Sequence, residues 1–139
     1  MNKSIFYDEA HREAYIDFIT NITCREDLYH ISLAYLLTLD TTCRQHIDDC
    51  FDFDRDVIRI EALNQPWQTS TSLKTTRLAF NLWNGCYDDG EEYIDTDGYK
   101  VPLPSSKYAV DQIFSSALAE YYWQAVKLRF NCWLSFWLI

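Results

Sequence analysis

Three residues, Cys43, His46 and Cys50, are the best candidates for binding a metal, because thiolate and imidazole groups are preferred zinc ligands. Their spacing of i, i+3 and i+7 places the three side chains on one face of a helix. Structural zinc sites usually take ligands from two elements, and no Cys-x-x-Cys pair supplies the other half. We therefore expect Cys43 and Cys50 to be small core residues, His46 to be half exposed, and no metal or other cofactor to be bound.

A second metal pattern, Asp95-Thr96-Asp97-Gly98, resembles part of a calcium-binding loop. When Gly98 is placed at the glycine position of an EF-hand loop, Tyr93 and Pro104 occupy its first and last ligand positions. Neither residue offers the carboxylate that a calcium loop places at these positions. The stretch therefore predicts a hairpin turn rather than a calcium site.

Catalytic motifs are missing from the sequence. It contains no G-x-S-x-G elbow, no cysteine in a thiolate motif and, with three glycines, no glycine-rich phosphate loop. The three histidines fall on helical segments without a carboxylate pattern that specifies a role: His11, His30 and His46. We predict no catalytic residues, and we expect binding rather than an enzymatic reaction.

The charge of the chain narrows the range of partners. Its 21 acidic and 12 basic residues give a net charge of −9, which disfavours direct contact with nucleic acid or an anionic membrane. The longest nearly apolar run, residues 132–139, is much shorter than the roughly 20 residues of a membrane span. Five cysteines without a disulfide pattern, and a first segment without an apolar leader, predict a cytoplasmic protein with free thiols.

The positions of apolar residues predict a mainly α fold, a compact bundle of about six helices forming a single domain over residues 1–139. Asp8 is expected to cap the first helix, whose apolar face runs from Ala14 to Ile22. The remaining helices are expected over residues 25–39, from Thr41 or Thr42 to 50, from Ser70 or Ser72 to 84, from Ser105 or Ser106 to 114, and from about 116 onward. The last of these, with two apolar stripes, is predicted to lie at the centre of the bundle.

Two segments between the helices are less regular. Residues 55–63 suit either a helix or a strand, and we favour a short helix or irregular passage because no partner strand is evident. Residues 86–104 form a long acidic loop or small hairpin, in which Tyr93-Ile94 and Tyr99-Lys100-Val101 flank the Asp97-Gly98 turn. We expect this segment to be the most acidic and the most mobile part of the chain.

A polar stripe on the helix ending at Gly85 is the main candidate contact region. Arg77, Asn81 and Asn84 recur at i, i+4 and i+7 on a helix that is otherwise apolar. One interpretation is structural: Arg77 pairs with an acidic neighbour and the two asparagines hold the helix end. The other is a contact site that also includes Trp67 and Gln68.

Two groups of residues in the second half of the chain resemble a known family. The first is Trp67-Gln68-Thr69-Ser70 followed by the run from Arg77 to Gly85; the second extends from Ile113-Phe114 to Lys127-Leu128-Arg129-Phe130. Together they are similar to the small bacterial proteins of the domain of unknown function 6075 family. The resemblance implies a bacterial, phage or plasmid origin and no particular reaction, substrate or cofactor. The chain departs from the family at Asn131, where an apolar tail replaces the expected Tyr-Pro-like ending.

Together these features predict a non-enzymatic protein-interaction domain, an inhibitor or accessory factor from a phage or mobile element that acts on a host defence protein. Its partner is expected to be a protein that is basic or handles nucleic acid, contacted through the acidic residues Asp88, Asp89, Glu91 and Glu92. The alternative is a small-ligand-binding protein or enzyme with a pocket near Trp67, Arg77 and Asn81. A homodimer formed through residues 132–139 is a further possibility, because exposed apolar patches are uncommon on monomers.

Overall fold

The computed structural model describes residues 4–22 and 27–130. Within these ranges the chain is mainly helical and carries two small antiparallel sheets of two strands each. The seven α-helices are α1 (Glu9–Thr20), α2 (Leu28–Leu39), α3 (Thr41–Gln45), α4 (Ile47–Cys50), α5 (Ser70–Asn84), α6 (Val110–Ile113) and α7 (Ala119–Phe130). The strands are β1 (Phe51–Asp52), β2 (Val57–Ile58), β3 (Glu92–Ile94) and β4 (Lys100–Pro102), and 3₁₀ helices cover Ile60–Asn64 and Ser106–Tyr108.

The central helix of the bundle is α2. Its sequence contains no Asp, Glu, Lys or Arg, and residues 32–39 are all buried between α1, α5 and α7. The prediction that the last helix is central was wrong. Helix α7 buries only Tyr122 and Ala125 fully, while Trp123 and Phe130 are exposed, because Glu120, Lys127 and Arg129 on the same helix favour a position at the surface.

The predicted helix ends are confirmed where a capping residue is clear. Asp8 accepts a hydrogen bond from the His11 amide at 2.8 Å, as expected of an N-cap. Gly85 ends α5 with a φ of 80°, a left-handed conformation that glycine adopts without a steric penalty. At α3 the expected cap was wrong: Asp40, not Thr41 or Thr42, accepts the hydrogen bond from the Cys43 amide.

Two predicted helices are each divided. The helix expected to reach residue 50 is interrupted at His46, whose backbone is not helical, so that α3 and α4 are separate short helices. The helix expected over residues 105–114 is a 3₁₀ turn capped by Ser105, followed after Ala109 by α6. Ala109 has an extended backbone, and this breaks the helix there.

The segment from residue 51 to residue 66 contains the partner strand that we did not predict. Phe51 pairs with Ile58 and Asp52 with Val57, which makes a short hairpin of β1 and β2. A 3₁₀ helix then covers Ile60–Asn64, so the helical expectation holds for this latter part. The strands have two residues each, too few to show the alternation from which strands are recognised in a sequence.

Among the helices that the structure describes, none has both the length and the apolar run needed to cross a membrane. The predictions for residues 132–139, including the homodimer formed through them, lie outside the described residues.

Candidate functional site

Helix α5 positions the predicted polar stripe. Thr69 caps the helix through a reciprocal pair of hydrogen bonds with Ser72, which fixes where its first turn begins. Eight residues after the cap in the same helix, Arg77 is 7% exposed and reaches the loop that follows α5. Asn81 donates a hydrogen bond to the Cys86 carbonyl at 2.9 Å.

The three polar residues therefore all hold the beginning of the loop. Asn84 accepts a hydrogen bond from the Cys86 amide at 3.0 Å, so the two asparagines together bind both backbone groups of one residue. Arg77 binds the carboxylate of Asp89. This is the structural interpretation of the stripe, in which Arg77 pairs with an acidic neighbour and the asparagines hold the helix end.

Asp89 is the residue of the loop that the most side chains hold by hydrogen bonds. Its carboxylate accepts hydrogen bonds from Nε and Nη2 of Arg77 at 3.2 and 2.8 Å, a two-point contact that suits the planar guanidinium. The Tyr108 hydroxyl lies 2.9 Å from the same carboxylate and 2.8 Å from the Asp88 carbonyl. Asn64 donates to the Asp89 carbonyl at 2.8 Å, which ties the loop to the 3₁₀ helix before α5.

The ionisation of these groups follows from their contacts. Burial opposes the charge on Asp89, but the hydrogen bonds from Arg77 and Tyr108 outweigh it and lower the pKa of the carboxyl below its ordinary value. Burial, together with the nearby Cys86 and Asp89, raises the pKa of Tyr108. Asp89 is therefore a carboxylate and Tyr108 a neutral hydroxyl at neutral pH.

Beyond Asp89 the chain forms the predicted hairpin of β3 and β4. Glu92 pairs with Pro102, Tyr93 with Val101 and Ile94 with Lys100. All three residues of β3 are exposed, as are Lys100 and Pro102. Five large apolar or aromatic side chains on or beside the hairpin are exposed to at least 41%: Tyr87, Tyr93, Ile94, Tyr99 and Leu103.

The tip of the hairpin is a turn, as its sequence predicted. The Asp95 side chain accepts hydrogen bonds from the amides of Asp97 and Tyr99, both at 2.9 Å. Gly98 adopts a φ of 86°, which a residue with a side chain rarely does. The Asp95 carboxylate thus holds its own turn.

The four predicted acidic contact residues divide into two pairs. Asp89 is bound by Arg77 and Tyr108, and Asp88 accepts a hydrogen bond from the Gly90 amide at 2.9 Å. Glu91 and Glu92 are exposed at the start of β3. A partner can reach Glu91 and Glu92, whereas Asp88 and Asp89 hold the loop in shape.

Trp67 and Gln68 lie away from the hairpin. The Trp67 ring stacks in parallel on His46 with ring centres 4.2 Å apart, and its indole N–H has no hydrogen-bond partner among the described residues. Gln68 donates to the Ala62 carbonyl at 2.9 Å and joins the capping residues of α5. Arg77 lines an open cleft with Lys74 and Lys107, and Asn81 lines another; Trp67 lines neither.

The Cys43, His46 and Cys50 side chains do not converge. Both thiols are fully buried, and Cys43 contacts the Thr76 hydroxyl at 3.4 Å. Burial raises the pKa of the Cys43 thiol, and raises that of Cys50 to about 12. His46 is partly exposed and binds Asp49 at 3.0 Å. In the described ranges no group of three His, Cys, Asp or Glu side chains is arranged to hold a metal ion.

His30 has two carboxylate partners that the sequence analysis did not identify. Its Nδ1 lies 2.8 Å from Asp27 and its Nε2 lies 2.7 Å from Asp56, which has a positive φ of 59° at the end of the β1–β2 turn. A neutral imidazole has one N–H, whereas both nitrogens here lie within hydrogen-bond distance of a carboxyl oxygen. Although burial opposes the charge, the hydrogen bonds to Asp56 and Asp27 raise the pKa of His30.

Sequence reasoning also missed the exposed aromatic residues of the hairpin as contact candidates. Tyr93 and Tyr99 were recognised as strand residues only. The available signal was that apolar side chains occur at consecutive positions, Tyr93-Ile94, so that both faces of a two-stranded hairpin carry them. A hairpin with no third strand cannot bury both faces on one core.

The fold and these contacts define a small, mainly helical domain from which an acidic β-hairpin, clamped at its base, projects into solvent. The chain belongs to the family of unknown function DUF6075, whose model matches residues 1–135. The match extends well beyond the second half of the chain, where the resemblance was first seen. No curated protein and no solved structure matches the chain.

Proposed function

We propose that the protein is a non-enzymatic interaction domain that binds a basic protein partner through the projecting hairpin, residues 86–104. The observation that carries the proposal is the combination of exposed aromatic and carboxylate side chains on an element whose base is held by hydrogen bonds. Tyrosine contributes large contact area with little loss of conformational entropy, and it is enriched in protein interfaces. The segment has six acidic side chains and one basic one, Lys100.

The clamp at the base of the hairpin supports this role. Arg77, Asp89 and Tyr108 hold the loop where it leaves α5, which restricts the position of the strand that carries Glu92 and Tyr93. Presenting contact residues on an ordered element lowers the entropy lost on binding. Exposed carboxylates speed association with a basic surface, and this effect weakens as salt is added.

In the same proposal, the partner is a host protein that handles nucleic acid and the chain is an inhibitor or accessory factor carried by a phage or mobile element. Proteins that handle nucleic acid present basic surfaces to phosphate backbones. An acidic hairpin is complementary to such a surface in charge, and its aromatic side chains can stack on the aromatic side chains that such a surface offers to bases.

The test begins with affinity purification of the full chain from its host, with and without phage infection, followed by binding kinetics with the captured protein. Replacing Glu91→Gln and Glu92→Gln should slow association several-fold at low salt and flatten its salt dependence, while the dissociation rate changes less. The matched control is Glu13→Gln with Asp17→Asn, which removes the same charge from exposed positions on α1. Equal effects of the two double variants, or no effect of either, would contradict a contact at the hairpin.

A further inference from the structure

The two outer edges of the β3–β4 hairpin differ in what their backbones offer. The Leu103 amide donates to the Glu91 carbonyl at 2.8 Å, and the Asp95 amide donates to the Tyr99 carbonyl at 2.9 Å. Bonded and non-bonded pairs alternate along an antiparallel ladder, so Tyr93 and Val101 form the bonded pair between them. The intervening pairs direct their backbone N–H and C=O groups away from the partner strand.

On β3 the outward groups belong to Glu92 and Ile94. Each residue presents one N–H and one C=O, and none of these four groups has a hydrogen-bond partner among the described residues. All of β3 is exposed, so no neighbouring element of the described chain covers this edge. The β3 edge is therefore open, and its outward N–H and C=O groups recur at every second residue, as pairing with another strand requires.

On β4 the outward positions are Lys100 and Pro102. Pro102 has no N–H, and proline at an outward position prevents continuous pairing on that side. The hairpin therefore has one edge that can accept a strand, that of β3, and one that cannot.

We infer that the β3 edge binds an extended segment of the partner protein by strand addition. The segment carries two consecutive basic residues next to two apolar or aromatic ones. The two basic side chains would lie beside Glu91 and Glu92, one on each face of the sheet, and the two apolar ones beside Tyr93 and Ile94. This inference rests on the proposed function and adds to it a binding mode and a sequence pattern for the partner.

A second copy of the chain is a poorer occupant of the same edge. When Glu92 of one copy is placed opposite Ile94 of another, Glu91 faces Asp95, and when Glu92 faces Glu92 the carboxylates are again directly opposed. Like charges directly opposite one another destabilise a sheet, and each copy carries a net charge of −9.

The experiment uses the full chain, isotopically labelled, with two capped peptides that cover both strand directions: Thr-Val-Tyr-Lys-Arg-Thr and Thr-Lys-Arg-Tyr-Val-Thr. A charge-matched peptide, Thr-Pro-Pro-Lys-Arg-Thr, controls for attraction without strand pairing. We expect one of the first two to slow amide exchange at Glu92 and Ile94 while leaving Lys100 unchanged, and the proline peptide to bind at least several-fold more weakly.

Two variants separate the backbone from the side chain. Ile94→Pro removes one outward N–H and should weaken peptide binding roughly tenfold, whereas Ile94→Thr keeps the N–H and should change it about twofold or less. The amide signals of Tyr93 and Val101 report whether the hairpin remains folded in Ile94→Pro. If the hairpin of Ile94→Pro does not remain folded, protection of the Glu92 and Ile94 amides in the unaltered chain shows whether the peptide pairs with the β3 edge.

Any of the following results would overturn the inference: no protection of Glu92 and Ile94 by either peptide, equal binding of the proline peptide, or equal effects of the two Ile94 variants in a folded hairpin. Concentration-dependent signal changes in β3 without peptide would instead show pairing of two copies, and would also overturn it. The proposed function has a separate test, since the Glu91 and Glu92 variants can slow association with the captured partner even when Ile94→Pro has no effect.

Discussion

His11 offers the sharpest test of the physical reasoning. The residue is fully buried, with Nε2 at 2.8 Å from the Tyr35 carbonyl and Nδ1 accepting a hydrogen bond from the Tyr7 amide at 3.0 Å. A proton added at Nδ1 would point at the Tyr7 N–H, which is also a donor. Burial, assisted by the charge of Arg44, lowers the pKa of His11 from 6.5 to about 4.

The sign and size of the effect on stability follow from this pKa. Between pH 6.5 and about 4 the unfolded chain binds a proton at His11 and the folded chain does not, so stability falls as the pH falls. One unit of pKa difference corresponds to about 1.4 kcal/mol, and the whole interval therefore amounts to about 3 kcal/mol of unfolding free energy. Above pH 6.5 both states are deprotonated at His11, so the ionisation of this group no longer makes stability depend on pH.

The assay is urea unfolding followed by tryptophan fluorescence at several pH values from 7 to 4.5, with His11→Gln as the uncharged comparison. We expect the advantage of the unaltered chain over His11→Gln to shrink by about 1.4 kcal/mol per pH unit below pH 6. Parallel pH profiles for the two proteins would refute the reasoning. If His11→Gln does not fold, an NMR titration of the imidazole serves the same purpose, and a pKa near 6.5 would refute it.

Four further predictions concern other contacts. Because the pKa of His30 is raised in the folded state, its protonated imidazole stabilises the fold fully below pH 6.5, and this stabilisation is lost as the pH rises through the folded pKa. Asp56→Asn should weaken this pH dependence of the unfolding free energy, measured from pH 6 to 9. Asp89→Asn leaves its arginine partner without a counter-charge and should lower the unfolding free energy by about 2–3 kcal/mol in urea titrations. Thr69→Ala removes the capping box and should cost about 1 kcal/mol by the same measurement. Gly85→Ala forces a side chain into a φ of 80° and should lower stability by about 1 kcal/mol, with Gly85→Asn costing less.

Each of these predictions has a result that contradicts it. An unchanged pH profile for Asp56→Asn would show that the carboxylate does not hold the proton on His30. Glu92→Gln, a neutralised carboxylate without an arginine partner in the structure, is the control for Asp89→Asn, and equal losses would contradict the clamp. Thr69→Ser keeps the capping oxygen and should be nearly neutral. Equal stability of the two Gly85 variants would mean that the left-handed backbone is not the cause.

The features predicted correctly from the sequence depend on neighbouring residues. Asp8 caps the helix that begins at the next residue, Gly85 ends the helix that precedes it, and Asp97-Gly98 turns between two strands a few residues apart. Such signals act over one or two turns of chain and can be recognised without knowing the fold. The hairpin and the mainly helical class were predictable for that reason.

The features that were missed depend on residues far apart in the chain. His30 and Asp56 are separated by 26 positions, and they meet only because the β1–β2 turn packs against the start of α2. The central position of α2 rather than α7 is an exception, because a local signal was present: α2 contains no Asp, Glu, Lys or Arg, whereas α7 carries Glu120, Lys127 and Arg129. The clamp is intermediate: an acidic partner for Arg77 was expected, but the choice of Asp89 required the loop geometry.

Pro102 has a consequence for how the protein behaves at high concentration. A fibre grows by strand pairing only if every added copy has a second strand edge that can pair with the next copy. A hairpin blocked on the side of β4 ends any such chain at the first contact. Pro102, which leaves β3 as the edge that can accept a strand, thus also prevents this exposed, aromatic-rich hairpin from polymerising. The substitution Pro102→Thr would remove that protection.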